Sequence, residues 1–395
     1  MIRQHLEDAY SPLYFLAALG SGGAAVSFYL YLMFMVPHPD APVVTIDHIW
    51  PILREGDPLA GALAGLALLA MLGFGLLHLR LLLWNLLAFR AFRAGEGYRR
   101  LRTSHAEVSL LAIPLTLAMS VNVVFIAAAA VIPDLWRHAE SLFPVTLVAY
   151  FAIGGQALFL YGRFVARVLH GGDRAAIADH GLAQLLAVFA FAMVAMGMAA
   201  PGCMSQQTTA STAGQAGAVL FATLAAVLGV AQLTLGLRTL LRQGIGAAAS
   251  PGLWITIPVL TLLGIVTIRM QLDPLQGFDQ ALVQPGLFTL TAAILVLQLL
   301  FGAGGYAVMR RTGYFRDYLH GSERHPGSYA LICPGIALFV LGMYFVTYGL
   351  VKTGLLESYS WAYFAALAPF VFVQFKTIGT LFRLNRRLLG NPLAL

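Results

Sequence analysis

The sequence predicts an all-α polytopic membrane protein with ten transmembrane helices, and three observations carry that expectation. Of its 395 residues 59% are hydrophobic and 10% charged, with a mean hydropathy of +0.79. Soluble domains carry about 25% charged residues, so this chain has too little charge to coat a water-facing surface. Ten apolar runs reach roughly the 20 residues that a helix needs to cross a bilayer. Lysine and arginine also alternate between the connections, dense on one side and sparse on the other.

The spans fall at about 11–36, 58–89, 105–132, 143–162, 180–202, 212–237, 251–268, 285–309, 328–351 and 358–375, within a single transmembrane domain over residues 1–395. The residues before span 1, MIRQHLEDAY, carry both signs of charge and lack the basic region of a signal peptide. Span 1 is therefore expected to be retained. Span 2 is too long for a perpendicular crossing. It either tilts or continues as a basic, amphipathic extension from Leu79 to Arg93. The longest connection, 37–57, is rich in proline and is expected to lie along the outer surface.

Four connections hold one cation each, Arg54, Arg137, Arg269 and Lys352, and the connection between spans 5 and 6 holds none. The other connections and the termini hold 19, with dense groups at Arg90–Arg102 and Arg310–Arg324. The cation-poor face also carries nine acids. Positive charge stays on the cytoplasmic side, which places both termini in the cytoplasm and the protein in the cell inner (plasma) membrane. Each odd span then runs outward and each even span returns, forming five helical hairpins. The net charge of +7 sits in short loops rather than on one face, so no nucleic-acid partner is expected, and the exterior contacts membrane lipid.

Prolines separate odd spans from even ones. Pro58, Pro144 and Pro285 are read at the first turn of even spans, where a missing N–H is harmless. Pro114, Pro258 and Pro334 are read inside spans 3, 7 and 9, Pro201 near the outer end of span 5, and Gly-Ser-Gly-Gly at 20–23 as a break in span 1. Interior proline kinks a helix, and within a bilayer the freed carbonyls need partners or a water-lined cavity. The odd spans are therefore expected to form an irregular inner ring and the even spans a straighter outer one. Gln156, Gln232 and Gln298 on even spans fit a role as interhelical hydrogen-bonding groups. No acid or base falls near the centre of any span, whereas proton- and cation-coupled carriers mark their path with a buried carboxylate. Glu107, His105 and Arg80 lie toward the cytoplasmic ends, where long side chains reach water.

No Walker loop, HExxH or GxSxG is present, so neither an enzyme nor a catalytic residue is proposed. Cys203 and Cys333 form neither a disulfide framework nor a metal motif, and no metal or cofactor is expected. The alternative keeps one open: a redox-complex membrane subunit binding haem or quinone through His78, His105 and His180.

Ten spans with kinked odd helices resemble the tellurite-resistance/C4-dicarboxylate transporter family, which includes the plant guard-cell slow anion channels. The stretches SPLYFLAALGSGGAAVSF in span 1, SPGLWITIPVLTLLG in span 7 and SYALICPGIAL in span 9 are similar to its patterns. Cys333 departs from the phenylalanine usual before the span 9 proline, and Ser328 and Tyr329 replace the paired tryptophans. These departures fit a divergent branch, such as the TsoY-type (seleno)proteins. The resemblance implies a homotrimer, each protomer an ion channel or transporter with its own pore inside the odd helices, occluded by an aromatic gate. The species carried would be a small inorganic or carboxylate anion. Pore-lining candidates are Gly20, Gly23, Pro114, Asn122, Gly197, Pro258, Thr261 and Pro334. By depth the gate candidates are Phe189, Phe191 and Phe339, each of which also reads as ordinary packing.

Overall fold

The computed structural model describes residues 7–170, 181–271 and 285–390, and every element among them is helical. Among the described residues ten helices are long and apolar enough to cross a membrane. Spans 1 to 10 are Pro12–Met35, Pro58–Phe92, His105–Val131, Leu135–His170, Ala183–Met204, Thr208–Gln243, Ala247–Met270, Gly286–Arg311, Pro326–Val351 and Trp361–Leu389. Burial separates them by parity. In the odd spans 61–89% of the most apolar stretch is buried, against 22–28% in the even spans. Each odd span packs against the even span that follows it, and spans 1, 3, 5, 7 and 9 touch in sequence, with span 9 returning to span 1.

Span 2 is one continuous helix of 35 residues, and spans 4 and 6 have 36 each. At 1.5 Å per residue each runs over 50 Å, well beyond a hydrocarbon core of about 30 Å. Span 4 starts at Leu135, so Pro144 lies inside the helix and not at its first turn. The Glu140 carbonyl left without its proline donor accepts a long bond from Gln207 Nε2 at 3.5 Å, and the Glu140 carboxylate accepts from Ser205 Oγ and the Gln206 N–H. These bonds tie the start of span 4 to the turn between spans 5 and 6.

The odd spans differ from the expected interior kinks in an instructive way. Spans 3, 7 and 9 open as tight 3₁₀ turns, His105–Leu111, Ala247–Ile255 and Pro326–Leu331, before relaxing into α-helix at Ala112, Thr256 and Ile332. Pro114, Pro258 and Pro334 each occupy the third α-helical residue. The first four N–H groups of an α-helix lack helical partners, so proline there stands where the helix type changes and removes no α-helical hydrogen bond. Runs of 3₁₀ longer than three or four residues are uncommon; these have seven, nine and six. Span 1 is unbroken from Phe15 to Met35. Its glycines serve close approach: a Cβ on Gly20 would sit 2.8 Å from Ile332 Cγ2, and one on Gly22 2.8 Å from His78 Nδ1.

The connection after span 1 is not loose. Residues Ile46–Glu55 form a helix led by Thr45, whose N–H donates to His48 Nδ1 at 3.1 Å. His48 Nε2 therefore carries the proton, and it donates to Asp40 Oδ1 at 2.9 Å. Asp47 accepts from the Asp134 N–H at 3.0 Å, which anchors this helix to the turn before span 4.

Polar side chains inside the bundle tie neighbouring spans together. Gln298 donates to Thr261 Oγ1 at 2.5 Å and to the Ile257 carbonyl at 3.1 Å, while Thr261 donates to the Ala337 carbonyl, joining spans 7, 8 and 9. Gln232 donates to Tyr161 at 3.2 Å, whereas Gln156 is exposed on span 4. Glu107 does not reach for water: it is 5% exposed, with Arg102 Nε and Arg167 Nε each 2.8 Å from one of its oxygens.

Candidate functional site

A cavity of about 230 Å³ lies among the five odd spans. On span 7 the lining residues Pro258, Thr261, Leu262, Ile265, Ile268 and Arg269 recur at helical spacing along one face. At 1.5 Å per residue that face runs about 16 Å from Pro258 to Arg269. Six of the candidate lining residues meet there: Gly20, Gly23, Asn122, Gly197, Pro258 and Thr261. Pro114 and Pro334 are not part of the lining, although Cys333 beside Pro334 is.

The three aromatic candidates part company. Phe189 lines the cavity and is 4% exposed. Phe191 is outside the lining and packs toward the even spans, its ring 6.2 Å from Phe221 and 5.9 Å from Tyr161. Phe339 is likewise outside it and packs on Tyr31 at 5.3 Å, whose hydroxyl donates to Gln374 on span 10.

The most consequential residue of the cavity is Arg269. Its place after the last apolar residue of span 7 read as a connection, but the helix extends to Met270 and the side chain turns back onto the cavity wall. Nη1 donates to the Met196 carbonyl at 3.1 Å and contacts Met196 Sδ at 3.5 Å. Four tyrosines, Tyr29, Tyr150, Tyr344 and Tyr348, share the cavity lining with it. Among the described residues no carboxylate pairs with it, and it is the one charged side chain of the lining. The signal was present in the sequence, since 261, 265 and 269 share a helix face, but an arginine at the end of an apolar run reads equally as an interfacial anchor.

The tyrosines are held in turn. Tyr150 reaches across from span 4 and donates to Asn122 Oδ1 at 2.8 Å, while Asn122 Nδ2 faces Met193 Sδ at 3.7 Å. Gly197 makes room for this phenol, because a Cβ there would overlap the Tyr150 ring. Tyr29 donates to the Val44 carbonyl at 2.8 Å, which fastens Pro42 and Val43 into the lining at the end where Arg269 lies. Span 9 widens into a π-helical turn, Phe345–Val351, directly after Tyr344. Such single-turn widenings are frequent at functional sites, and this one carries Tyr348.

The histidines of the redox alternative are differently placed. His78 is fully buried, with Nδ1 2.8 Å from the Ala18 carbonyl and Nε2 2.9 Å from Ser120 Oγ. Nδ1 donates to that carbonyl and Nε2 is within hydrogen-bond distance of the Ser120 hydroxyl, so both nitrogens are engaged by protein groups. His180 lies outside the described residues. Among the described residues no group of three or more histidine, cysteine, aspartate or glutamate side chains could hold a metal ion. No family model, curated protein or solved structure matches this chain.

Proposed function

We propose that this protein is a membrane channel or transporter for a small anion, which passes through a pore enclosed by an inner ring of odd helices. The reading is supported above all by Arg269, a half-buried guanidinium on the cavity wall with no carboxylate partner among the described residues. In a low-dielectric setting a charge gains from a partner of opposite sign, and an anion entering the cavity would pair with this guanidinium. The surrounding phenols add dipoles without adding negative charge. Binding would remain weak enough for release because a single cation, rather than a cluster, holds the anion, and conduction requires entry and exit alike.

With the odd spans running outward, Arg269 and the Pro42–Val43 segment lie toward the outer face, and the basic connections surround the cytoplasmic mouth. That positive field would raise the local anion concentration there. The same reading carries plasma-membrane placement with both termini cytoplasmic, kinship with the tellurite-resistance/C4-dicarboxylate transporters, and a homotrimer whose protomers each hold one pore.

Anion flux into liposomes containing the purified protein, with and without a proton gradient, tests it. Selective flux that Arg269→Gln reduces at least tenfold is expected. Equal flux of cations and anions, or flux indifferent to Arg269→Gln, would sink the reading.

A further inference from the structure

The cavity is built for more than a bare ion. Its single cation sits at one end, and although Asn122, Thr146 and Thr261 also line it, most of the wall is apolar, with Val26, Phe189, Met193, Leu262, Ile336 and Val340 facing the same space. Resting on the anion reading, we propose that the ligand is a monoanion with a compact apolar body: a short-chain or aromatic monocarboxylate, its head group at Arg269 and its body along those six residues.

Charge, polarity and size each narrow the choice. One guanidinium balances one negative charge; a dianion would leave a second charge desolvated against apolar walls. A guanidinium also matches the planar, two-oxygen geometry of a carboxylate better than it matches a spherical halide. A halide would neutralise Arg269 and leave the apolar part of the wall to water, which needs two to four polar partners and does not settle on apolar surface. Finally, an apolar cavity of about 150 Å³ accommodates benzene, so the 230 Å³ here takes a ring and a carboxylate but not a drug-sized molecule.

The test is calorimetric binding to the purified full-length protein in nanodiscs, with benzoate, its neutral isostere benzamide, nitrate and succinate as probes. Benzoate is expected to bind at least tenfold more tightly than nitrate or succinate, and benzamide not measurably. Arg269→Gln should weaken benzoate at least tenfold. Val340→Thr, which keeps the side-chain volume, should weaken benzoate several-fold while leaving nitrate unchanged; it serves even where the arginine variant fails to fold. Nitrate binding as tightly as benzoate would overturn the apolar-body proposal and leave the anion reading intact. Tighter succinate would overturn the monoanion. Benzamide equal to benzoate, or binding by no probe, would overturn both.

Discussion

Tyr150 donates to Asn122 Oδ1 at 2.8 Å, and that bond ties span 4 to span 3 on the cavity wall. Its geometry depends on Gly197, which leaves the space the phenol fills. Gly197→Ala should force the ring aside. The expected outcome is overpacking at about 1–3 kcal/mol, with anion flux reduced several-fold. Tyr150→Phe should cost about 1 kcal/mol, because it loses the bond and keeps the ring. Thermal unfolding in detergent compared with liposome flux measures both, and equal melting temperatures for wild type and Gly197→Ala would contradict the argument.

The phenylalanines give a sharper contrast. Phe189→Ala removes a ring from the cavity lining and is expected to raise flux. Phe191→Ala and Phe339→Ala empty packed, fully buried sites. Each should cost about 3–5 kcal/mol with no gain in flux. A gain from Phe191→Ala or Phe339→Ala, and none from Phe189→Ala, would reverse the assignment.

Glu107 holds two arginines at the base of span 3, and Arg167 also donates to the Ser104 carbonyl. Arg102 lies within ion-pair distance without a hydrogen-bond alignment, whereas Arg167 has both. Glu107→Gln preserves shape and leaves two cations without their counterion. Loss of a fully enclosed partner costs about 3–5 kcal/mol; with the arginines 19% and 30% exposed, solvent screening lowers the expectation to about 2 kcal/mol. Chemical denaturation of the detergent-solubilised variant reads this out, and an unchanged midpoint would show the cluster to be dispensable.

The connection between spans 1 and 2 should respond to acid. The hydrogen bond from His48 holds the Asp40 carboxyl below its ordinary value of 3.8. A depressed carboxyl stabilises the folded segment above that ordinary value, and the contribution disappears as pH falls through the lowered one. Hydrogen exchange in residues 37–57 is therefore expected to stay slow from neutrality to about pH 4 and to accelerate below it. Asp40→Asn should exchange faster at neutral pH and show no such step. An identical step in that variant would assign the acid response elsewhere.

Thr261→Val tests the junction of spans 7, 8 and 9, since it removes the donor to the Ala337 carbonyl and the acceptor of Gln298. Interhelical hydrogen bonds in membranes average about 0.6 kcal/mol each, so a loss near 1 kcal/mol is expected in the melting temperature. No loss would mean that Gln298 finds another partner.

The apolar runs and the alternation of charge determined ten spans by themselves, because a bilayer demands about 20 apolar residues per crossing whatever their neighbours are. The span limits were legible to within a few residues, save where helices 4, 6 and 10 run on past the apolar stretch into polar sequence. Prolines flagged spans 3, 7 and 9 as unusual, yet the 3₁₀ lead-ins were not legible: a missing N–H announces a break without saying which helix type replaces it. Only the tertiary structure decided which side chains face one another. Phe189 and Phe191 stand two residues apart on one helix and point to different neighbours, and Arg269 belongs to the cavity because span 7 continues past its apolar run and turns that side chain onto Met196. Local sequence records polarity and period; the partner across a helix interface is set by packing among spans that are distant in the chain, and there the candidate site was made.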